Sequence, residues 1–437
     1  MSARTAGVLL HPTSLPVHAG GIEGAAREFL AWAEQSGLSV WQILPVGPPD
    51  GGRSPYSALS GFAGDPSWFE GEGGADAEHA PWLDDWSLFA ALKEAHHGLP
   101  WFAWSEPLRR RDPAALAASA SSLREAVLRH CRAQQAFMTG WSAVRADARN
   151  HGVTILGDVP IYPALDSADV WAHQELFHLD ANGAPTKVAG VPPDYFCKTG
   201  QLWGNPLYRW DRLKETGYRW WIERLQRALA LHDRLRLDHF RGFSGYWAVP
   251  ADSETAEDGA WEPGPGTALF DAVRGALGGL PFVAEDLGVI TDDVRALRDA
   301  LGLPGMRVLQ FGFDIADSDH APDRIPKDVV VYTGTHDNDT TRGWFASLDA
   351  ATQSRVLAAV GGTADGISWN LIRAAYASIA ELAVAPLQDI LGLGSEARMN
   401  VPGVARGNWG WRAPADAFSP ERARRLSLLA EETNRGC

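Results

Sequence analysis

The sequence has 437 residues, of which 45% are apolar, and its formal net charge is −15 with only 39 basic residues. This composition fits a large globular chain, and the lack of any long basic run argues against a nucleic-acid partner. We expect no membrane span, because no apolar run approaches the roughly 18 residues needed, and no secretory signal, because the apolar stretch in MSARTAGVLLHPTSLP is short.

Cysteine and tryptophan usage narrows the class further. The three cysteines, Cys131, Cys197 and Cys437, are odd in number and scattered. They therefore predict neither a disulfide framework nor a metal cluster, and they favour a cytoplasmic protein. The 19 tryptophans against 8 tyrosines indicate heavy aromatic packing, together with rings that can stack on apolar faces of a ligand.

Eight short apolar runs, each ending in polar residues, follow one another along the chain. They occupy residues 7–14, 40–48, 153–162, 234–242, 281–288, 306–314, 329–339 and 396–403. Most precede a segment of helical periodicity; in TDDVRALRDALG, Thr291 suits the N-cap and Gly302 suits the C-terminal end. Alternating strands and helices predict an α/β fold with a parallel sheet, and eight units predict a (β/α)8 TIM barrel.

Two connections are too long for a plain βα unit and predict inserted subdomains around the mouth of the barrel. They cover approximately residues 62–150 and 163–232. The first holds a helical stretch near 114–149, and the second is rich in aromatic residues, proline and glycine. After Trp411 only a short helical segment follows, so we expect no C-terminal β-sandwich, and residues 1–437 are predicted to form a single catalytic barrel.

The barrel prediction places one acidic residue at the end of each of three strands: Asp238, Glu285 and Asp337. Three acids that converge on one pocket suit the chemistry of glycosidic bonds. One carboxylate attacks the anomeric carbon, and a second donates a proton to the leaving oxygen and later activates the acceptor. A strand-terminal acid can equally cap a helix or pair with an arginine, but three at matching strand ends favour the catalytic interpretation.

Neighbouring residues suggest which acid has which role. Arg236 lies two residues before Asp238 on the same strand face, and a nearby cation favours the ionised form that a nucleophile needs. Glu285 follows the apolar run 281–284, where partial desolvation raises the pKa of a carboxyl group and suits a general acid/base. Asp337 follows His336, and this pair is predicted to hold sugar hydroxyls while the ring distorts.

Five segments carry a resemblance to a known family: RLDHFRG, AEDLG, THDNDTTRGW, PPDYFCKTGQLWGNPLYRW and GSEARMNVPG. They resemble, in the same order along the chain, the amylomaltases, which are 4-α-glucanotransferases of glycoside hydrolase family 77 in the α-amylase clan. The resemblance extends from about residue 5 to residue 412. It implies a retaining transferase that needs no metal or cofactor and acts on malto-oligosaccharides, amylose or glycogen-derived glucans, with cyclised glucans as a further product.

The same resemblance implies roles for individual residues. Asp238 matches the nucleophile, Glu285 the acid/base and Asp337 the transition-state stabiliser. The implied substrate-binding residues are Arg236, His336, Asp158, Tyr56, Gln201, Trp203, Asn205, Tyr195 and Phe196, the last two in a flexible lid. One departure is notable, because members of the bacterial thermophile type carry a tyrosine before the SPY segment for a second glucan-binding site. Here PDGGRSPY has Gly51 and Gly52 instead, so the sequence does not indicate this second glucan-binding site.

Alternative functions share parts of this pattern. A hydrolase of the α-amylase type would use the same three acids, and the lid that would exclude water in favour of transfer is inferred mainly from the family. A non-catalytic glucan-binding barrel would not need all three acids. A metal-dependent hydrolase would need ligands at several strand ends, and His11 is better suited to shaping the first loop. The expected assembly is a monomer or weak dimer, and we expect His239 to be a packing or loop-tethering residue.

Overall fold

A ring of eight parallel strands forms the centre of the computed structural model, which describes residues 4–71, 80–193, 198–315, 317–404 and 406–435. The strands are β1 (Thr5–Leu9), β2 (Val40–Gln42), β3 (Thr154–Val159), β4 (Arg234–Leu237), β5 (Phe282–Ala284), β6 (Gly305–Val308), β7 (Val329–Tyr332) and β8 (Leu382–Pro386). They pair in the order β6-β7-β8-β1-β2-β3-β4-β5. A hydrogen bond of 2.9 Å from the Ala284 N–H to the Pro304 carbonyl joins the two ends. The predicted (β/α)8 barrel is confirmed.

The eighth strand differs from the prediction. It is Leu382–Pro386, which is entirely buried and pairs residue by residue with β1, Leu382 opposite Thr5. Residues 396–403 instead contain a 3-10 turn at Ser395–Ala397 followed by a loop. The prediction was wrong because the polar residues of 396–403 resemble the end of a barrel strand, whereas LAVAP has no polar terminus to mark it.

Helices surround the strands and form the outer layer. The α-helices in the described residues are Gly21–Gln35, Pro81–Ala95, Glu106–Arg109, Pro113–Ser122, Arg124–Asn150, Ala168–Ala172, Trp210–Glu215, Arg219–Leu231, Thr267–Leu277, Asp292–Leu301, Thr341–Ser347, Ala350–Val360, Ile367–Ala377, Leu387–Leu391 and Pro420–Glu432. The helix Asp292–Leu301 is preceded by Thr291 and followed by Gly302, whose φ of 69° is the left-handed conformation that favours glycine at a helix end. In the part of the chain that the structure describes, no helix combines the length and apolarity that crossing a bilayer requires.

Alternation along the strands decides which side chains enter the barrel. The inward residues form one buried cluster: Leu9, Val40, Leu156, Val283, Val308, Val330, Tyr332, Leu382 and Val384. Their chain neighbours, such as Leu235 and Leu237 on β4, pack outwards against the helices. Arg236 lies between these two outward residues and so points inwards. The side chain of Asp158 follows Leu156 on the inner face of β3 for the same reason.

A second, antiparallel sheet lies over the barrel mouth, and we call it the inserted sheet. Its strands, in spatial order, are Gln201–Pro206, Lys187–Val191, Gly245–Pro250 and Ala260–Pro263. The last two follow β4, in a stretch where the sequence pattern is irregular and indicated no strand. Between β2 and β3 the chain is mainly helical, including Pro81–Ala95 and the long Arg124–Asn150.

Candidate active site

The three predicted carboxylates lie at the C-terminal ends of their strands. Asp238 immediately follows β4, Glu285 immediately follows β5, and Asp337 lies in the loop after β7. The side chains of Asp238 and Asp337 are 26% and 46% exposed, so both carboxylates open towards the mouth. This is the end of a (β/α)8 barrel where active sites are built.

Arg236 connects two of the inward acids. Its Nη1 lies 2.7 Å from Oδ2 of Asp158 and 2.8 Å from Oδ1 of Asp238. Asp158 and Arg236 are direct partners in the parallel register of β3 and β4, and both are buried. Burial raises the pKa of Asp158 to about 7, and the Arg236 guanidinium opposes that increase. The two contacts fix the orientation of both carboxylates. Asp238 is therefore held in place by a cationic partner.

Glu285 has a different environment. The pKa of Glu285 is raised to about 8, mainly because the group is buried; the Arg236 guanidinium opposes this increase, and the negative charge of Asp238 contributes to it. Its two oxygens accept hydrogen bonds from the backbone N–H groups of Leu287, at 3.0 Å, and of His239, at 2.7 Å. Glu285 therefore holds its proton at neutral pH and is fixed in orientation, as a general acid must be.

His239 makes the contact with Glu285 possible through its backbone. Its φ of 50° is left-handed, an uncommon conformation for a residue with a side chain, and it turns the chain into the 3-10 helix Phe240–Phe243. The same turn aims the His239 N–H at the Glu285 carboxyl group. Its ring packs edge-on against Trp203, with centroids 4.7 Å apart. The expectation of a packing histidine is met, and the backbone contact is an addition that the sequence did not indicate.

Asp337 receives its partners from the segment that was predicted as a strand. Its Oδ1 accepts a 2.6 Å hydrogen bond from the Asn400 side chain, and its backbone carbonyl accepts one of 2.6 Å from Arg398. His336 Nε2 lies 3.4 Å from the other carboxylate oxygen. Asn400 and Arg398 were not among the predicted site residues, although both belong to the GSEARMNVPG segment, which was the available signal.

A buried aspartate on the short helix Leu387–Leu391, which follows β8, anchors the loop that carries His336 and Asp337. Asp389 accepts hydrogen bonds from the hydroxyl of Thr333 at 2.6 Å, and from the backbone N–H and hydroxyl of Thr341, both at 2.7 Å. These two threonines lie at the two ends of the loop, and Asp389 is only 1% exposed. One carboxylate thus fixes the loop at both of its ends.

Tyr56 joins the acids to an aromatic wall. Its hydroxyl donates a 2.7 Å hydrogen bond to Asp158 Oδ2, and its ring stacks on His336. Trp409 packs against both rings, with centroid distances of 5.9 Å to each. Trp409 was not predicted as a site residue, because nothing in the sequence around a single tryptophan indicates which distant residues it contacts in the fold.

Three further predicted substrate-binding residues, Gln201, Trp203 and Asn205, lie on the strand Gln201–Pro206 of the inserted sheet. Trp203 contacts His239 beside the nucleophile candidate, and its Nε1 donates a 3.1 Å hydrogen bond to Gln201. Asn205 lies farther along the same strand, where its amide donates to the Pro163 carbonyl at 2.9 Å. The predicted lid residues Tyr195 and Phe196 lie outside the described residues.

His11, the residue considered as a possible metal ligand, is a packing residue. It is buried, and its ring meets Trp68 edge-on with centroids 5.5 Å apart. Burial lowers its pKa to about 3. Among residues 4–71, 80–193, 198–315, 317–404 and 406–435, no group of three or more histidine, cysteine or acidic side chains has a geometry that could hold a metal ion.

Comparisons with known proteins show which family the chain is similar to. A 4-alpha-glucanotransferase family profile, glycoside hydrolase 77, matches residues 10–72 and 76–417. The 4-alpha-glucanotransferase of Thermus thermophilus is 46% identical over 99% of each chain, and that of Synechocystis is 43% identical over 99% of this chain and 98% of the relative. The amylomaltase of Streptococcus agalactiae, solved with acarbose, superposes with a TM-score of 0.94 at 32% identity, over 99% of this chain and all of that one.

Proposed function

The chain belongs to the 4-alpha-glucanotransferases of glycoside hydrolase family 77, and from this premise we propose how its own residues carry out the transfer. The donor is an α-1,4-glucan such as a malto-oligosaccharide or amylose, and the acceptor is the 4-hydroxyl of another sugar. The observation that carries the assignment of roles is the contrast between Asp238, paired with Arg236, and Glu285, whose pKa burial raises to about 8.

In the first step, Glu285 donates its proton to the glycosidic oxygen while an Asp238 carboxylate oxygen attacks the anomeric carbon. The bond between that carbon and the leaving oxygen breaks, and a glucosyl ester on Asp238 forms. Positive charge develops on the sugar ring during this step. Asp337, oriented by Asn400, holds hydroxyls of that ring and stabilises the charge electrostatically.

In the second step, the roles reverse. Glu285, now ionised, removes the proton from the acceptor 4-hydroxyl, and that oxygen attacks the anomeric carbon and releases Asp238. Two inversions give net retention of the α configuration. Tyr56, Asp158 and His336 form the wall against which the reacting sugar binds, since their hydrogen bonds and ring stacking fix them before substrate arrives.

Transfer is preferred over hydrolysis when the ester on Asp238 meets a sugar before it meets water. Trp203 contacts His239, the residue next to Asp238, and an aromatic ring at this position supports the preference by limiting the access of water. We infer a cytoplasmic location, where the free thiol of Cys131 stays reduced. Cyclised glucans would form when the acceptor is the other end of the same donor chain.

The experiment that tests these roles is trapping with a fluorinated maltosyl donor, followed by mass spectrometry of the protein and its peptides. We expect a maltosyl adduct on the peptide 235–242, at Asp238. Asp238→Asn should give no adduct, whereas Glu285→Gln should still be labelled by a donor whose fluoride leaving group needs no proton. An adduct on another peptide would refute the assignment of the nucleophile.

Transfer is measured separately by incubating the enzyme with maltotriose. Glucose and longer malto-oligosaccharides should appear together, while the total number of reducing ends stays constant. A steady rise of reducing ends with time would indicate hydrolysis by the same three carboxylates.

A further inference from the structure

Arg241 lies three residues after Asp238 and takes no part in the proposed reaction. Its guanidinium lies over the indole of Trp261, 4.0 Å from the ring centre, and its Nη1 donates a hydrogen bond to the backbone carbonyl of Val289. Arg241 therefore links three segments: the turn after β4, the inserted sheet, and the loop after β5 that begins at Glu285. All three lie at the mouth of the barrel.

Trp261 is also held by the sheet to which it belongs. In the antiparallel register it is directly opposite Trp247, so the two side chains share one face of the sheet. Their rings meet edge-on at 5.2 Å, and the indole N–H of Trp247 donates a 2.8 Å hydrogen bond to the carbonyl of Ala256. The hydrogen bond thus fixes Trp247, and the contact with Trp247 in turn restricts the orientation of Trp261.

This rigid indole is nevertheless 45% exposed, and Val289 on the other side of Arg241 is 65% exposed. A single exposed apolar side chain needs no explanation. An immobilised tryptophan beside a guanidinium is different, because it offers an apolar surface at little entropic cost and a charged hydrogen-bond donor group next to it. A sugar can use both features, because its C–H face packs on an aromatic ring and its hydroxyl groups accept hydrogen bonds from a guanidinium.

The position of Trp261 indicates which sugar would bind there. The inserted sheet reaches the catalytic centre at its other end, where Trp203 contacts His239, and Arg241 ties Trp261 to the turn that follows Asp238. The indole therefore belongs to the wall of the same mouth, removed from the reacting bond. When a glucan polymer is bound in the active site, the glucose units that contact this surface would be distant from the cleaved linkage.

We propose that Trp261 and Arg241 form a remote glucan-binding subsite, which contacts glucose units of a long donor or acceptor chain beyond those at the reacting bond. This inference rests on the proposed function, because that function identifies the occupant as an α-1,4-glucan. The subsite is separate from the loop that holds Gly51 and Gly52. It would make the enzyme favour long chains over short ones without any change in the chemical step.

The test compares a short and a long substrate. Trp261→Leu keeps an apolar side chain against Trp247 but removes the aromatic face, and Trp261→Ala removes both. We expect kcat/KM for maltoheptaose to fall about tenfold in both variants, while kcat/KM for maltotriose remains within about twofold of the unchanged enzyme. The control is Trp369→Ala, because Trp369 also carries a stacked arginine, Arg425 at 3.8 Å, but lies on the outer helix Ile367–Ala377.

Binding without turnover separates this inference from the proposed function. In the background of Asp238→Asn, titration calorimetry with maltoheptaose should show about tenfold weaker binding when Trp261→Leu is added. An equal loss for maltotriose and maltoheptaose, or no loss for either, would overturn the subsite. If the unchanged enzyme binds maltoheptaose but transfers nothing from maltotriose, the proposed function fails, whereas the binding comparison still decides the subsite.

Discussion

Tyr56 lies nearly parallel to His336, with ring centroids 5.1 Å apart and ring planes inclined by 17°, while its hydroxyl donates to Asp158. Burial raises the pKa of Tyr56 well above its usual value and lowers the pKa of His336. The phenol therefore keeps its proton and the imidazole stays neutral. One tyrosine thus connects the inner face of β3 with the loop of Asp337 through uncharged groups.

Tyr56→Phe tests the hydrogen bond apart from the stacking. The variant keeps its ring on His336 but leaves the buried carboxylate of Asp158 with one donor fewer. The loss of about 1.5 kcal/mol for such a bond corresponds to about a tenfold decrease in kcat/KM. Tyr56→Ala removes the ring as well and should lose more. Steady-state kinetics with maltotriose measures both, and unchanged kinetics in Tyr56→Phe would show that the hydroxyl has no role.

Activity should decline on the alkaline side as Glu285 loses its proton. Because burial raises the pKa of Glu285 to about 8, the carboxyl is protonated below that pH and can act as an acid. Above it, kcat/KM should fall about tenfold per pH unit. A pH series of initial rates measures this, and a profile that still rises between pH 8 and pH 9 would contradict the role of Glu285.

The electrostatic interaction between the two catalytic carboxylates can be measured directly. The negative charge of Asp238 raises the pKa of Glu285, so Asp238→Asn should lower it. Infrared difference titration detects the protonated carboxyl band, and the same titration of Asp238→Asn/Glu285→Gln identifies the signal that belongs to Glu285. A pKa that stays the same or increases in Asp238→Asn would show that the two groups do not interact.

Removing the anchor of the Asp337 loop should affect both stability and turnover. Asp389→Ala leaves the buried hydroxyls of Thr333 and Thr341 unpaired, and we expect a loss of about 3 kcal/mol in the free energy of unfolding. We also expect a lower kcat, because the loop that carries Asp337 is released at both ends. Denaturant unfolding and maltotriose kinetics measure the two effects.

Asp349→Ala is the matched control for that variant. Asp349 also accepts hydrogen bonds from a threonine N–H and hydroxyl, those of Thr352 at 2.8 and 2.9 Å, but it caps an outer helix. Its removal should lower stability less than Asp389→Ala does, because Asp349 is exposed, and should leave kcat unchanged. If Asp389→Ala lowers stability but leaves kcat at the level of this control, Asp389 supports only the fold and does not position the loop.

The barrel and the three carboxylates were predictable because one physical rule connects them. Parallel strands of a barrel end on the same side, so Asp238, Glu285 and Asp337 had to converge once their strands were recognised. Arg236 was predictable from the period of two on a strand. The pairing of Arg236 with Asp158 depends in addition on the register of β3 against β4, which no local pattern specifies.

Other parts required the tertiary structure. Two strands of the inserted sheet come from the irregular stretch after β4. The strands with which this stretch pairs determine its conformation, because its own sequence has no periodicity. The segment 396–403 is polar because its residues Arg398 and Asn400 donate hydrogen bonds to Asp337. The polar residues do not mark the end of a strand. A sequence pattern reports the local environment of a residue, whereas these residues are defined by a partner about sixty positions away.

That separation along the chain has a consequence for biosynthesis. Asn400 lies 63 residues after Asp337, and Arg435, whose Nη1 donates to the Thr5 carbonyl at 3.0 Å, comes later still. A nascent chain that has emerged only as far as β8 already contains all three carboxylates, but Asp337 has neither its amide nor its guanidinium partner. The site around Asp337 is therefore complete only after the segment that follows β8 has been synthesised and has packed against the loop after β7.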